Sequence, residues 1–244
     1  MKNYKLEISY DGTCFSGWQV QKNDKTVQGC IEGALKEILK INSVNLISAG
    51  RTDAGVHANG QSANVILDTQ MTCDQIRKAI NAKLSRNIFI KNCIEVDVDF
   101  NSRFSAKRRE YIYYITNDFS PMKRHFFWQN NRKLNRSTLK RCAKIVLGEN
   151  DFSLFSKASS ETKNKVCTIY ESYWKFDDDF ISYTIIGNRF LQHMVRLIVG
   201  TMIEVSIGRI KLKEFRDILN CKKIKVSAER APAQGLFLNK IYYK

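Results

Sequence analysis

Glycine and proline are scarce in this sequence, and long apolar runs are missing. The chain has 12 glycines and 2 prolines among 244 residues, too few for a low-complexity or linker-like protein. No stretch approaches 18 apolar residues without a charge, and the N-terminus lacks the apolar segment of a secretory signal. Because 43% of the residues are hydrophobic and 11% are aromatic, the chain can bury a full core. We expect a folded, soluble, cytoplasmic protein with one large domain or two small ones.

Clustered metal ligands are also missing. The seven cysteines are odd in number, widely spaced and without a Cys-x-x-Cys pair, which is typical of reduced and mostly buried thiols in a cytosol. The three histidines, His57, His125 and His193, are too far apart to form a zinc site by local spacing. The sequence contains no P-loop and no dinucleotide-binding fingerprint. We therefore expect a protein that works without a metal or a small-molecule cofactor.

Negative charge is scarce relative to positive charge. The chain has 40 lysines and arginines against 24 aspartates and glutamates, which gives a net charge of +16 and an isoelectric point near 9.6. Residues 101–150 hold 12 basic and 3 acidic residues, whereas residues 1–100 hold 12 and 11. Such a local surplus predicts a surface that binds an anionic partner, either a nucleic acid or a membrane surface. A membrane is the poorer explanation, because no amphipathic anchor accompanies the charge. A solvated basic helix face is the alternative interpretation.

The expected secondary structure repeats one order of elements in two halves. In the first half, polar–apolar alternation predicts strands over residues 4–10, 45–48, 61–67 and 89–98. Helical spacing begins after Thr26, and Thr72 with Gln75 forms a capping box ahead of a second helix. In the second half, the pattern predicts strands over residues 109–116, 166–176, 180–187 and 236–243. It also predicts a helix over residues 137–147 that ends at Gly148, and a later apolar helix.

This β-α-β-β-α-β order is typical of ferredoxin-like, or RRM-like, α+β folds with mainly antiparallel sheets. We predict two such halves, an N-terminal domain of residues 1–104 and a C-terminal domain of residues 105–244. No linker rich in proline, glycine or serine separates them, so we expect them to pack closely. A cleft between two such sheets is the default place for an active site.

The most unusual local string is an aspartate-containing turn between two expected strands. Residues 50–60 have the sequence GRTDAGVHANG. Three glycines in this string indicate unusual backbone angles or a close approach of the backbone to another group. Asp53 lies at the tip, and Arg51 and His57 lie in the same turn. An ordinary turn capped by aspartate is the alternative, but it does not explain why three ionisable groups crowd there.

A second candidate is an arginine in an apolar helix. Residues 194–203 have the sequence MVRLIVGTMI, so apolar residues cover nearly every face, which indicates burial. A buried guanidinium needs an anionic partner, because an unpaired buried charge is strongly destabilising. The candidate partners of Arg196 are Glu204 on the same helix and a carboxylate from the other half, such as Asp53. An arginine that reaches solvent from the helix edge is the alternative.

A third feature is a run of basic residues that leads into an aromatic strand. Residues 103–114 have the sequence RFSAKRREYIYY. The basic members are Arg103, Lys107, Arg108 and Arg109. Basic groups bind phosphates and aromatic rings stack on unpaired bases, so the pattern favours RNA with an exposed base. Tyrosines in the core of a sheet are the alternative for each ring taken singly. A basic helix that begins near Arg136 can extend the same footprint along an RNA backbone.

Together these blocks resemble the TruA family of tRNA pseudouridine synthases. The segment from Ala49 to Ala58 is similar to the family's signature around its catalytic aspartate. Five further groups of motifs occur along the chain in the same order as in the family. The first comprises YDGT at residues 10–13, GWQ at 17–19 and TVQ at 26–28, and the second is RFSA at 103–106 ahead of Tyr111. The other three are Gly148 with Asp151 and Phe152, MVR at 194–196 with Gly200, and APA at 231–233 with Gly235 and Leu236. The resemblance covers nearly the whole chain.

The resemblance implies a fold and an activity. The fold is the pseudouridine synthase fold. The activity is the isomerisation of uridine to pseudouridine on the 3′ side of the tRNA anticodon stem-loop, in the family at positions 38, 39 and 40. The family acts as a homodimer, and tRNA is the expected partner.

The same resemblance assigns roles to single residues. Asp53 is the catalytic carboxylate, either a nucleophile or a base, and Arg196 pairs with it and keeps it ionised. Tyr111 lies beside the target base, where it stacks and can help to remove the C5 proton, and Leu236 packs under that ring. Arg51 fills the space left by the extruded base. We also expect His57 and the basic residues at 103 and 107–109 to contact the substrate.

Four positions depart from the family pattern. Asn101 and Ser102 stand where His and Ala are common, Asn150 where His is common, and Ser206 where Gly is expected. None of them falls on the expected chemistry, although the first three bear on how the substrate is held.

Two other functions compete with this interpretation. A non-catalytic module that binds RNA or assists its folding needs only the basic aromatic strand. It has no use, however, for a buried Arg196 or for Asp53 on a glycine-rich turn. A metal-dependent nuclease built on Asp53 and His57 is weaker, since no acidic cluster supplies further ligands.

Overall fold

The structure, a computed structural model, describes residues 1–157, 162–221 and 227–244. The chain divides into two compact units, one formed by Met1–Lys107 with Phe237–Lys244 and the other by Arg108–Leu236. Each unit combines helices with a mostly antiparallel sheet. The predicted α+β class is therefore confirmed.

The first unit has the strand order expected of a ferredoxin-like half. Its strands are β1 (Lys2–Tyr10), β2 (Ile47–Ser48), β3 (His57–Leu67) and β4 (Ile88–Val96). They are arranged β4-β1-β3-β2, and each neighbouring pair is antiparallel. Alternate residues of β1, from Tyr4 to Tyr10, are at most 5% exposed and contribute to the core. The predicted alternation of β1 therefore marks its buried side chains.

Local sequence explains where the two helices of this unit begin. They are α1 (Val27–Leu39) and α2 (Cys73–Lys83). The Thr26 side chain accepts a hydrogen bond from the Gly29 N–H, and Thr72 and Gln75 form the predicted capping box. Such caps stabilise a helix because the first amides have no partner within it. Both predicted helix starts are confirmed.

The last strand departs from the predicted domain division. Strand β10 (Leu236–Tyr242) runs parallel to β3, with Phe237 opposite His57. Beyond β10, the Tyr243 hydroxyl donates to Ser62 Oγ at 2.7 Å. Residues 237–244 therefore group with the first unit and not with the predicted second half of residues 105–244. The reason is that alternation predicts a strand without showing which sheet it joins.

Among its described residues, the second unit has four antiparallel strands in the order β5-β9-β8-β7. The strands are β5 (Arg108–Thr116), β7 (Gly148–Asp151), β8 (Val166–Phe176) and β9 (Ile181–Gly187), with the short β6 (Trp128–Gln129) parallel to the end of β5. The predicted hairpin is confirmed, since Phe176 pairs with Ile181 across its turn. Strand β7 was not predicted, because its four residues, three of them exposed, carry no alternating pattern.

The described residues of the second unit form three α-helices, namely α3 (Arg136–Ile145), α4 (Met194–Ser206) and α5 (Leu212–Leu219). All residues of α4 are buried except Arg196 and Leu197, which confirms the predicted apolar helix. Helix α3 ends at Ile145, two residues before the predicted end. Gly148, with φ +84, begins β7 instead of capping the helix.

Within the described residues, no helix is long and apolar enough to cross a membrane. All seven cysteines are free thiols, and Cys93, Cys142 and Cys167 are buried. Cys14 and Cys221 are exposed, so the prediction of mostly buried thiols was wrong for these two.

Candidate active site

The predicted catalytic turn connects β2 to β3 in the first unit. Hydrogen bonds fix its backbone on both sides of Asp53, because the Trp18 N–H donates to the Thr52 carbonyl at 3.1 Å and the Val56 N–H donates to the Asp53 carbonyl at 3.2 Å. The Thr52 hydroxyl also lies 2.8 Å from the buried Tyr10 hydroxyl. The YDGT and GWQ segments therefore hold this turn in place.

Two glycines allow these segments to approach the turn closely. A Cβ atom on Gly12 would lie 2.0 Å from the Val56 carbonyl oxygen, and one on Gly17 would lie 2.7 Å from the Thr52 carbonyl oxygen. Gly17 also has φ +96, a conformation that other residues rarely adopt. The position of Asp53 thus depends on glycine at both places.

We expect Gly12→Ala to displace the Asp53 turn. The added methyl group would meet a backbone oxygen of Val56, which cannot move without the turn, so we expect a loss of about 1–3 kcal/mol in the free energy of unfolding. Urea unfolding measures this loss. Gly33→Ala is the matched control, because Gly33 is exposed on α1 with nothing within 4 Å, and it should gain about 0.5–1 kcal/mol. An unchanged stability of Gly12→Ala would contradict the packing described here.

His57 is buried at the beginning of β3, with 1% of its surface exposed. Its Nδ1 accepts a hydrogen bond from the Gly12 N–H at 3.0 Å, and its ring stacks on Phe237 at 4.6 Å between centroids. Nδ1 also lies 3.2 Å from Asp11 Oδ1, a contact that needs a proton on Nδ1. The two contacts require opposite states of Nδ1. The Gly12 N–H can only donate, and Asp11 Oδ1 accepts from Thr13, so we assign Nδ1 as the acceptor.

The burial of His57 does not fit the predicted substrate contact. Its ring lies inside the first unit, against β10 and the Gly12 segment. Asp53 is half-buried and Arg51 is exposed on the same turn. Among the residues that the structure describes, no three His, Cys, Asp or Glu side chains lie close enough together to hold a metal ion. The nuclease alternative, which relies on His57 as a ligand, gains no support.

Arg196 is half-buried on α4 and binds the segment that precedes β10. Its Nε donates to the Ala231 carbonyl at 2.8 Å, and the Ala231 N–H donates to the Arg196 carbonyl at 3.0 Å. Glu204, one of the two predicted partners of Arg196, lies eight residues further along α4, about 12 Å away along the helix axis. The Glu204 carboxylate binds Arg132 at 2.6 Å and Arg209 at 3.4 Å. Two other arginines thus engage Glu204.

The segment before β10 also contacts strand β5. The Tyr113 hydroxyl donates to the Pro232 carbonyl at 2.8 Å, and a Cβ atom on Gly235 would lie 2.6 Å from the Tyr113 ring. Leu236 follows directly and is 5% exposed. Residues 231–235 therefore connect α4, with its Arg196, to β5 and fix the start of β10.

Tyr111 lies on β5, two residues before Tyr113 and on the same face of the strand. It is 7% exposed, and its ring meets Phe190 edge-on at 5.1 Å. Burial raises the pKa of Tyr113 well above its ordinary value, although the positive charge of Arg196 acts in the opposite direction. Sequence reasoning missed Tyr113 as the residue that ties β5 to the segment before Leu236. Its place two residues from Tyr111 was the available signal.

The loop that carries Arg103 is held tightly in the first unit. Asn101 Oδ1 accepts hydrogen bonds from the N–H groups of Arg103 and Phe104, and the Ser102 N–H donates to Asn64 Oδ1 at 2.8 Å. The Arg103 guanidinium lies 5.4 Å from the centre of the exposed Phe104 ring. Two of the departures from the family pattern, Asn101 and Ser102, therefore shape this loop.

We expect Ser102→Ala to stabilise the protein. Ser102 is fully buried, and its Oγ has no hydrogen-bond partner in the part of the chain that the structure describes. Removal of this unsatisfied hydroxyl should raise the free energy of unfolding by about 1 kcal/mol in a urea titration. Ser62→Ala, which removes the nearer of the two acceptors of the Tyr243 hydroxyl, is the control and should lower it by about 1 kcal/mol. A less stable Ser102→Ala would show that the hydroxyl has a partner.

The other predicted phosphate-binding residues differ in their exposure and in their contacts within the protein. Lys107, in the first unit, and Arg108, in the second, are both exposed. The Arg108 guanidinium lies 4.9 Å from the centre of the Tyr170 ring. Arg109 is half-buried and donates to the Asn188 carbonyl at 2.7 Å. Arg109 thus has a structural hydrogen bond, Arg108 lies against an aromatic ring, and Lys107 is exposed.

Comparison with known proteins adds a family to this geometry. Residues 8–105 and 142–244 match the family described as tRNA pseudouridine synthase. The chain belongs to this family. A relative from Acetivibrio thermocellus, named tRNA pseudouridine synthase A, is 43% identical over 245 residues, and the alignment covers 100% of both chains. Relatives of the same name from Caldicellulosiruptor saccharolyticus and Borrelia hermsii are each 39% identical, again with 100% of both chains covered.

Membership in the tRNA pseudouridine synthase family confirms the resemblance found in the sequence. The matched stretches contain Asp53 in the first unit and Arg196 and Leu236 in the second. Tyr111 lies between the two stretches, and the full-length relatives cover it.

Proposed function

We propose that this protein converts uridine to pseudouridine in the tRNA anticodon stem-loop, at positions 38, 39 and 40. The observation that carries the proposal is Asp53 on a turn fixed on both sides by hydrogen bonds, in a chain of the tRNA pseudouridine synthase family. The relatives named above bear an enzyme's name. A non-catalytic RNA-binding module therefore has no support among them.

The reaction exchanges one bond of the nucleoside for another. The N1–C1′ glycosidic bond breaks, the base turns, and a C5–C1′ bond forms, while C5 loses a proton and N1 takes one up. No atom or electron is gained or lost overall. The balance of the reaction therefore requires no redox cofactor and no co-substrate.

We assign the central role to Asp53. Its carboxylate acts either as a nucleophile at C1′, as in a retaining glycosidase, or as a base that removes the C2′ proton and gives a glycal. Both routes need the ionised carboxylate, and a neighbouring cation favours that state. Similarity to the family assigns this task to Arg196.

We assign to Tyr111 the contact with the target base. Its ring stacks on the base, its hydroxyl takes part in the removal of the C5 proton, and Leu236 packs under the ring. Contacts within the protein favour fixed positions for Tyr111 and Leu236. The Tyr111 ring is held edge-on by Phe190, and Leu236 follows a segment tied to both α4 and β5.

A uridine in a stem must leave the base stack before it can react, which costs a few kcal/mol. We assign the exposed Arg51 to the space that the extruded base leaves. The exposed Arg103, Lys107 and Arg108 bind phosphates, and this binding offsets part of the cost of extrusion.

Two predicted substrate contacts receive different roles. The buried His57 positions the Asp53 turn through its contacts with Gly12 and Phe237. Arg109 holds the loop after β9 through the Asn188 carbonyl. Neither residue needs to touch RNA in this proposal.

The family resemblance also implies a homodimer, and the cysteine pattern favours the cytoplasm; we include both in the proposal. Light scattering of the purified protein should then give twice the monomer mass of 28.3 kDa. A mass equal to that of the monomer would contradict the dimer alone.

The experiment that tests the proposed function is a map of pseudouridine in total tRNA from cells with and without the protein. We expect pseudouridine to disappear from positions 38, 39 and 40 in the cells that lack it, and to remain elsewhere. An unchanged map, or a loss confined to other sites, would refute the assignment.

A further inference from the structure

A basic cavity in the second unit has no part in the proposed reaction. It has a volume of about 460 Å³ and lies between helices α3 and α5. Three cations and two amide side chains line it, namely Arg141, Lys144, Arg216, Asn150 and Asn220. No carboxylate is among the lining residues that the structure describes. The cavity thus combines positive charge with hydrogen-bond donors.

The three cations are not neutralised by any carboxylate of the described residues. Arg141, Lys144 and Arg216 are exposed, and none of them has a carboxylate partner within residues 1–157, 162–221 and 227–244. Like charges around one cavity repel each other over a screening length of about 10 Å at 0.1 M salt. A bound anion would relieve this repulsion.

Favourable interaction of cations with the helix dipoles does not explain why these cations surround one cavity. Lys144 and Arg216 lie near the ends of α3 and α5, where a cation interacts favourably with the helix dipole. However, Asn150 Nδ2 already donates to the Leu147 carbonyl at 3.1 Å beyond α3. The dipole also gives no reason for both helices to direct cations into one cavity, or for Arg141 to join them.

The neighbouring cations of α3 have a different setting. Arg136 and Lys140 both lie over the Phe176 ring, at 5.2 Å and 5.6 Å from its centre. Arg141 and Lys144 make no such contact with an aromatic ring of the described residues and line the cavity instead. Helix α3 therefore carries one pair of cations held by the protein and a second pair available to a ligand.

We propose that this cavity binds a backbone phosphate of the RNA substrate. The inference rests on the proposed function, which makes RNA the substrate. A guanidinium can donate two parallel hydrogen bonds to a phosphate, a lysine adds a point charge, and the amides add donors. The cavity would hold the RNA through residues that take no part in the chemistry. A free phosphate-bearing small molecule has the same chemistry, and the experiment separates the two.

The test is a triple variant, Arg141→Gln with Lys144→Gln and Arg216→Gln, titrated with unmodified tRNA at several KCl concentrations. The slope of log K against log salt becomes shallower by about 0.7–0.9 for each phosphate that the protein no longer neutralises, so we expect a change of about 0.7–0.9 for the one phosphate proposed here. The single-turnover rate of pseudouridine formation at saturating tRNA should stay at the wild-type value. The variant would then bind less tightly without reacting more slowly.

The matched control is Lys22→Gln with Lys40→Gln and Arg86→Gln. These three exposed cations lie in the first unit, and their loss changes the net charge by the same amount. We expect a salt slope close to that of the wild type. Equal changes in both triple variants would mean that only net charge matters, and an unchanged slope in the cavity variant would mean that the cavity does not bind RNA. Either result overturns the proposal.

Two further readouts distinguish the remaining outcomes. Inorganic phosphate at constant ionic strength would identify a small-anion site if it raised the Tm of the wild type but not of the cavity variant, while tRNA binding was the same in both. That result would overturn the RNA assignment. A cavity-dependent salt slope in a protein that forms no pseudouridine would refute the proposed function alone. Pseudouridine formation with an unaltered slope in the variant would refute the cavity alone.

Discussion

Asp53→Asn is expected to abolish pseudouridine formation and to leave tRNA binding largely intact. Asparagine has nearly the same shape, so the hydrogen bonds that fix the turn, which involve backbone groups of Trp18, Thr52 and Val56, can persist. The amide carries no negative charge and can act neither as a nucleophile at C1′ nor as a base at C2′. Loss of such a group lowers the rate by on the order of 10⁴-fold or more.

Single-turnover kinetics and filter binding with the same unmodified tRNA measure the two effects separately. Asp68→Asn is the control, because Asp68 is an exposed carboxylate of the same unit, at the end of β3, and it contacts only the N-terminal amine among the ion pairs described. It should react at the wild-type rate. Substantial activity in Asp53→Asn would refute the role of Asp53, whatever the behaviour of the control.

Tyr111→Phe is expected to lower the rate of pseudouridine formation by about 10²–10⁴-fold, the range for loss of a proton-transfer group. The substitution keeps the ring, so its edge-on contact with Phe190 and any stacking on a base remain. Binding of tRNA should therefore change little. A rate close to that of the wild type would limit Tyr111 to stacking and would exclude its hydroxyl from the removal of the C5 proton.

Tyr113→Phe is the comparison for Tyr111→Phe. It also removes a tyrosine hydroxyl, two residues further along β5 and on the same face of the strand. The Tyr113 hydroxyl donates to the Pro232 carbonyl, so its loss leaves a buried acceptor unpaired and should cost about 1–3 kcal/mol in the free energy of unfolding. We expect a less stable enzyme that still reacts. If both variants lost activity to the same extent, the effect would come from the packing of β5 and not from chemistry at Tyr111.

Local patterns predicted most elements because those elements bury one face. The alternation over residues 4–10 lies within β1, and the capping box at Thr72 marks the start of α2. Strand β3 begins at His57, four residues before the predicted start. Residues 57–60 lack alternation, and the strand extends over them where His57 and Ala58 pair with β10 and Ala58 pairs with Tyr10 of β1, both distant in sequence. The residue pattern of one segment does not show which distant strand that segment pairs with.

The identities of the candidate site residues could be predicted from motifs, but the contacts that hold these residues in place could not. The spacing of the glycines pointed to the turn around Asp53, whereas the contact of Gly12 with the Val56 carbonyl depends on folding. In the same way, residue type and burial singled out Arg196, but its bonds to Ala231 join two segments separated by α5. Residues that react carry a chemical signature, and residues that hold them in place are defined mainly by distant contacts.

Tritium release tests the central claim most directly. The substrate is an unmodified tRNA whose uridines carry tritium at C5. Formation of the C5–C1′ bond expels the hydrogen from C5, so each isomerised uridine releases its label to water. The account predicts that the purified protein releases label without an added cofactor, and that the new pseudouridines map to positions 38, 39 and 40. Failure to release label from a tRNA that the protein binds, or release only from uridines outside the anticodon stem-loop, would contradict it.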